Sequence, residues 1–115
     1  VAIAVNSTKE TLATAYAGVA LYASLHTADP GSTGTSEATG GSPAYARKLV
    51  TWTGGASDGV TVGSQVTFDV PAGTYTHFGL WSAVTGGTFR DKGTITSTVM
   101  GGQGQILVTP TYTQS

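Results

Sequence analysis

The run FDVPAGTYTHFGLWSAVTGGTF, Phe68 to Phe89, decides the fold. It begins on an apolar alternation, Val66, Phe68 and Val70, which Pro71 ends because proline has no amide to donate to a ladder. A Pro-Ala-Gly turn leads into Tyr75 to Val84, the longest aromatic-rich stretch of the chain, and Gly86-Gly87 closes it. Tyr75, His77, Gly79 and Trp81 share one face of a strand, while Thr76, Phe78, Leu80 and Ser82 share the other. Both faces carry large apolar groups, so this strand is expected at the centre of a sheet and covered on both sides. A two-layer sandwich covers only one face, and the second cover is expected to be an N-terminal helix or a neighbouring subunit.

Working outward, the upstream chain is built of shorter pieces. Val1 to Val5 reads as a short strand or an ordered arm. Ser7 and Glu10 have the spacing of a capping box, and Leu12, Ala13, Tyr16 and Ala17 follow at helical spacing up to Gly18. Arm and helix together occupy residues 1–18. Val19 to His26 alternates as a core strand, with Leu21 and Leu25 facing inward, and ends at the Asp29-Pro30-Gly31 turn. Ser32 to Pro43 is Ser/Thr/Gly-rich and reads as an exposed loop. Ala44 to Thr53 resumes as a strand with Val50 and Trp52 on one face, and Asp58-Gly59 signals a hairpin. Val60 to Val70 is the next strand. Downstream, Thr88 to Lys92 reads as a short edge piece, Gly93 to Met100 as a strand, and Gln105 to Thr113 as a closing edge strand broken at Pro110.

Seven to eight short strands with frequent turn signals and one short N-terminal helix predict a mainly β domain. The architecture expected is an antiparallel β-sandwich or a jelly-roll-like barrel. The 115 residues are the length of one domain. Its candidate core is Leu21, Leu25, Trp52, Phe68, Phe78, Leu80 and Trp81.

Charged residues make up only 10% of the chain, against about 25% in an average soluble domain. A surface of Thr, Ser and Gly loses little solvation on burial, which suits packing against other subunits. The five Lys and Arg are scattered and the net charge is −1, which argues against nucleic acid as a partner. No apolar run reaches the roughly 20 residues of a membrane span, and no signal-like segment is present. The absence of Cys removes disulfides and thiolate metal sites.

The side chains with chemistry in them do not form a catalytic or metal-binding pattern. His26 and His77 lie at no ligand-pair spacing, and no D-x-D-x-D loop or G-x-S-x-G elbow occurs, so no metal, cofactor or catalytic residue is assigned. His77 is expected to be hydrogen-bonded within the sheet. Trp52 and Trp81 fit the core better than a sugar-stacking platform. Arg47, two residues after Tyr45, suits a carboxylate partner, with Glu37 and Asp29 as the candidates, or a stacked contact, the alternative being a surface position with no specific contact.

LHTADPG (Leu25 to Gly31), Glu37 with Gly40-Gly41-Ser42, YAR (Tyr45 to Arg47), FDVPAGT (Phe68 to Thr74) and THFGLWSAVTGG (Thr76 to Gly87) occur in that order. With them the sequence resembles a family of small virion structural proteins of tailed bacteriophages, usually labelled tail-fibre-like. The resemblance implies a non-enzymatic particle component, a siphovirus being the implied source, assembled in the host cytoplasm and located in the virion. Capsid decoration, minor-capsid and tail-fibre positions all fit. The partners implied are copies of the chain, a trimer being favoured, and other phage structural proteins. The alternative is a receptor- or glycan-binding module that takes a host surface glycan. Candidate assembly contacts are Val1, Ile3 and Val5, which can add to a neighbour's sheet edge, and Glu37, Tyr45 and Arg47 around the long loop.

Overall fold

Pro71, Pro110 and the glycine pairs divide the chain into a helix and nine strands, seen in a computed structural model that describes residues 3–54 and 59–114. The helix α1 spans Asn6–Val19. The strands are β1 (Tyr22–His26), β2 (Lys48–Leu49), β3 (Trp52–Thr53), β4 (Val60–Gly63), β5 (Val66–Val70), β6 (Gly73–Trp81), β7 (Phe89–Met100), β8 (Gly104–Val108) and β9 (Thr111–Thr113). Pairing is antiparallel throughout, in sheets of order β2-β1-β6-β7, β3-β4-β9 and β5-β8. The molecule is mainly β and sandwich-like, with one N-terminal helix among the described residues.

The main core lies between the four-stranded sheet and the β5-β8 pair. Ala23, Leu25, Tyr75 and Leu80 on one side meet Val66, Phe68, Val70, Ile106 and Val108 on the other. The Val66, Phe68, Val70 alternation points inward as its period of two requires, and all three are buried. Trp52, Phe78 and Leu21 are only half-buried, Trp52 and Phe78 packing against this core.

Two stretches that read as single strands change sheet midway. β4 and β5 oppose β9 and β8 as one antiparallel ribbon, but Val62 pairs with Thr111 and Val66 with Val108. Three residues, Gly63 to Gln65, therefore face two, Thr109 and Pro110. This extra residue and the missing Pro110 donor bend the ribbon. Gly63 sits at the bend, its amide 2.7 Å from the Pro110 carbonyl oxygen, and a Cβ there would lie 2.7 Å from both Pro110 and Val50. Ala44 to Thr53 divides similarly, into β2 and β3 on either side of the buried Val50. The reverse happens after Thr88, where the separate edge piece and strand of the sequence reading form the continuous twelve-residue β7.

The helix does not start as its sequence suggests. Val5 precedes it in an extended conformation, no side chain caps it, and its first turn uses the Val5 carbonyl as acceptor for the Thr8 and Lys9 amides. Glu10 turns away from Ser7 and accepts from the Gly59 amide at 3.2 Å, which ties α1 to the start of β4. The Ser7–Glu10 capping box is thus replaced by a tertiary contact. Tyr16 anchors the other side of α1: its ring stacks on Tyr112 at 3.8 Å and meets Trp52 edge-on at 5.7 Å. Its hydroxyl donates to Asp91 at 2.7 Å, and burial together with that carboxylate raises the phenol's pKa. Asp58 of the expected hairpin lies outside the described residues; Gly59 has φ +74°, as a tight turn requires.

β6 is central between β1 and β7 and covered on both faces. Its second cover, however, comes from this chain's own Thr27–Arg47 segment and Phe89. α1 and a neighbouring copy are not needed for it. Gly34 lies so close to the Trp81 ring that a Cβ there would overlap it, and Phe89 meets the same ring at 5.1 Å. The Ser32–Pro43 loop is accordingly less exposed than its composition suggests: Pro30, Gly34 and Ala38 are buried, and Glu37 bridges to His26. Tyr75 also departs from simple alternation, joining Leu80 in the main core. A register shift between Tyr75 and His77, where Thr76 faces three residues of β7, breaks the period.

Candidate functional site

The polar residues singled out in the sequence converge above the outer face of β6. Arg47, at the end of the long loop, lays its guanidinium over the Trp81 ring, 3.6 Å from the centroid. Its Nε and Nη2 donate to the two Glu37 oxygens at 2.9 Å each, and Nη1 donates to the carbonyls of Ala83 and Gly86 at 3.1 and 2.8 Å. The Tyr45 hydroxyl donates to Glu37 at 2.8 Å and accepts from the Leu25 amide at 3.0 Å, while its ring stacks on Phe68 at 6.0 Å. Arg47 is thus bonded to the loop after β6, and Tyr45 to β1.

The charge state follows from this geometry. Burial acts to raise the Glu37 pKa, but hydrogen bonds from Arg47 and Tyr45 outweigh it and hold the carboxyl below its ordinary range. Burial and the adjacent carboxylate push the Tyr45 phenol up. A cleft of about 330 Å³ opens beside this group, lined by Glu37, Tyr45, Arg47, Val84, Thr85 and Gly86 among others. Its ionised groups already satisfy each other, so the cleft presents a neutral wall.

Beneath Trp81 runs a second chain of hydrogen bonds. Trp81 Nε1 donates to Ser24 Oγ at 2.8 Å, Ser24 lies 2.6 Å from His26 Nε2, and His26 Nδ1 lies 2.8 Å from the Thr35 carbonyl. A carbonyl can only accept, so Nδ1 carries the proton and Nε2 accepts from Ser24. Burial lowers the His26 pKa and favours this neutral ring. A hydroxyl beside an imidazole is the pairing of a nucleophile with its base. Here both residues are fully buried, and Gly79 packs directly against them. The pair fastens the loop to the sheet and is closed to any substrate.

The remaining sequence candidates are placed apart. Glu37 takes Arg47, and Asp29 pairs with Lys92 at 2.6 Å on the surface, which lowers the Asp29 pKa. Asp29 also accepts from the Gly31 amide at 2.8 Å, the turn contact its sequence announces. His77 bonds the Thr76 hydroxyl at 2.8 Å and Asp69 accepts from Gln105 at 3.2 Å. Among the described residues no group of three His, Cys, Asp or Glu side chains gathers that could hold a metal, and no helix is long and apolar enough to cross a membrane. Val1 lies outside the described residues; Ile3 is half-buried and Val5 exposed. Sequence reasoning missed the Ser24–His26 pair, hidden within a strand's alternation; it allowed a stacked contact for Arg47 but did not name Trp81, 34 residues away, as the ring.

The longest unpaired strand edge among the described residues belongs to β7. β7 is the outer strand of the four-stranded sheet, twelve residues long, and none of its residues is buried. No further strand pairs with it among the described residues. Its charges are confined to Arg90, Asp91 and Lys92, leaving Gly93 to Met100 uncharged.

No curated protein matches the chain. Residues 5–113 match the family model described as Podophage GP4 fiber I protein gp80. That description names a podophage in place of the siphovirus implied by the resemblance, and it names a fibre. The match spans nearly the whole β architecture, and the chain belongs to this family of phage fibre structural proteins.

Proposed function

We propose that the chain is a non-enzymatic subunit of a tailed-phage fibre, and that it works by burying its surface against copies of itself and other virion proteins. The fibre in the family's description favours this position over capsid decoration. The observation that carries the reading is β7. An outer strand of this length, uncharged over most of its run, offers backbone donors and acceptors to a strand of another subunit. Proteins that remain monomeric keep such edges short, charged or covered.

The polar cluster fits this role as a strut. Arg47, Glu37 and Tyr45 hold the long loop in place ahead of any contact, which lowers the ordering cost of association. A glycan platform is not favoured, because Arg47 and Gly34 already occupy the Trp81 ring.

Two measurements test the proposal. Sedimentation of the purified protein is expected to show a homo-oligomer, and labelled antibody against it is expected to decorate the tail region of intact particles in electron micrographs. A monomer at every concentration, with no label on particles, would overturn it.

A further inference from the structure

His26 is fully buried on β1, and its ring joins the sheet to the loop segment that covers Trp81. Donor and acceptor capacities fix every hydrogen in this network. Trp81 Nε1 donates to Ser24 Oγ, the Ser24 hydroxyl donates to His26 Nε2, and His26 Nδ1 donates to the Thr35 carbonyl. The network is complete only with a neutral ring. A second proton makes Nε2 a donor as well, and the Ser24 hydrogen then loses its acceptor in a site where Ser24 is itself fully buried.

The segment fastened by this ring is held in an uncommon backbone conformation. Ser36, next to the Thr35 carbonyl, has φ +63° and is the one non-glycine residue with positive φ among the described residues. Such a conformation persists where surrounding bonds impose it. Here the His26–Thr35 bond does so, together with the Thr27 amide on the Ser36 carbonyl at 3.0 Å and the Ala38 amide on the Leu25 carbonyl at 2.8 Å. The Asp29–Lys92 pair at the far end of the segment is exposed and contributes little.

We infer that His26 is an acid-sensitive latch on segment 27–36: its neutral ring keeps the segment closed over Trp81, and a proton on that ring opens it while the main core stays folded. The closed site does not welcome the cation. Glu37, across the strand bridge, attracts it but is already engaged by Arg47 and Tyr45, while Arg47 and His77, the β6 residue opposite His26, repel it. Lys92, on the far side of β6, is paired with Asp29, and Lys48 of β2 lies opposite Ala23. Burial is the largest influence and lowers the pKa of the ring. Once the segment lifts, the ring meets water and titrates near its ordinary value of about 6.5, so acid favours the open form. Opening also withdraws Gly34 from the Trp81 ring.

Amide exchange at Thr27 and Ala38, whose amides close the segment, reads the latch directly. Corrected for intrinsic exchange rates, protection at both is expected to fall about fivefold or more from pH 7.5 to 5, with the paired amides of β5 and β8 unchanged. In His26→Gln, protection at Thr27 and Ala38 is expected to be level across this range, whereas His77→Gln keeps the parent's fall. In the parent, the His26 ring followed by NMR is expected to titrate below about 6.5, at the pH where the fall levels off. Level protection in the parent, a fall shared by β5 and β8, the same fall in His26→Gln, or a His26 ring that titrates at 6.5 or above would overturn the latch.

Discussion

The two faces of β6 are both covered, yet by opposite means. Leu80 faces a core of Leu25, Phe68, Val70, Ile106 and Val108, where stability comes from apolar area and close packing. Trp81 faces a cover fixed by directional bonds: Arg47 to Glu37, Ala83 and Gly86, and Ser24 between Trp81 and His26. Apolar burial tolerates shape changes of similar volume and holds no ionised group for pH or ionic screening to act on. A bonded cover places one loop conformation accurately and pays with sensitivity to each partner. The first face makes the domain stable; the second makes the surface above it specific.

Variants on the two faces should respond in kind. Phe68→Ala, at the centre of the apolar side, is expected to cost about 3–5 kcal/mol in urea unfolding, with no dependence on salt. A loss below 1 kcal/mol would mean that the main core lies elsewhere. Arg47→Ala leaves a half-buried carboxylate without its cation and uncovers Trp81. About 2 kcal/mol is expected, less than for a fully buried pair because Glu37 retains some contact with water. Arg47→Lys should recover less than half of that loss, since an ammonium cannot supply the fork or the stacked plane; full recovery by Lys would reduce the strut to a simple charge.

Gly79→Ala adds a Cβ 2.6 Å from Ser24 Oγ and 2.8 Å from His26 Nε2. It should destabilise by about 1–2 kcal/mol and loosen the loop, read as faster amide exchange at Thr35 and Ser36. The smallest effect is that of pH. The folded-state pKa of His26 is lowered below its ordinary 6.5, so the unfolded chain binds the proton more readily. The His26 contribution is therefore fully present above about pH 6.5 and is lost as pH falls toward the lowered folded value. Melting temperatures followed from pH 7.5 to 5 should decline, and the decline should flatten in His26→Gln. An identical slope in that variant would assign the dependence to other groups.

Much of this contrast was legible in the residues. The period of two in Val66, Phe68 and Val70 gave their inward face, and the two large-residue faces of Tyr75 to Val84 gave a central strand. What covered the second face was not legible. A Ser/Thr/Gly loop carries no periodicity, and its burial depends on Gly34 and Arg47 meeting Trp81, residues 47 and 34 positions away. The corner at Gly63 to Gln65 was hidden for a related reason: a two-for-three mismatch between strands belongs to the pair and is written in neither sequence alone. Glu10 shows tertiary context overriding a local motif, since Gly59 competed successfully for its carboxylate. In the site, the pairing of Arg47 with Glu37 was among the alternatives read from sequence, whereas the closed Ser24–His26 pair required the fold.

The bent ribbon of β4, β5, β8 and β9 has a mechanical consequence. Two chain segments carry the antiparallel pairing from β4 and β9, against which α1 packs, round the corner to β5 and β8 in the main core. At the corner the segments stay tied, the Gly63 amide donating to the Pro110 carbonyl and the Ser64 amide to the Thr51 carbonyl. Tension applied at α1 has two routes, along the backbone through Ala20 and Leu21 into β1, and through Glu10 and Tyr16 into β4 and β9. Hydrogen bonds loaded along the strands must break together, while those loaded across them open one at a time. The corner thus passes load on β4 and β9 directly to β5 and β8.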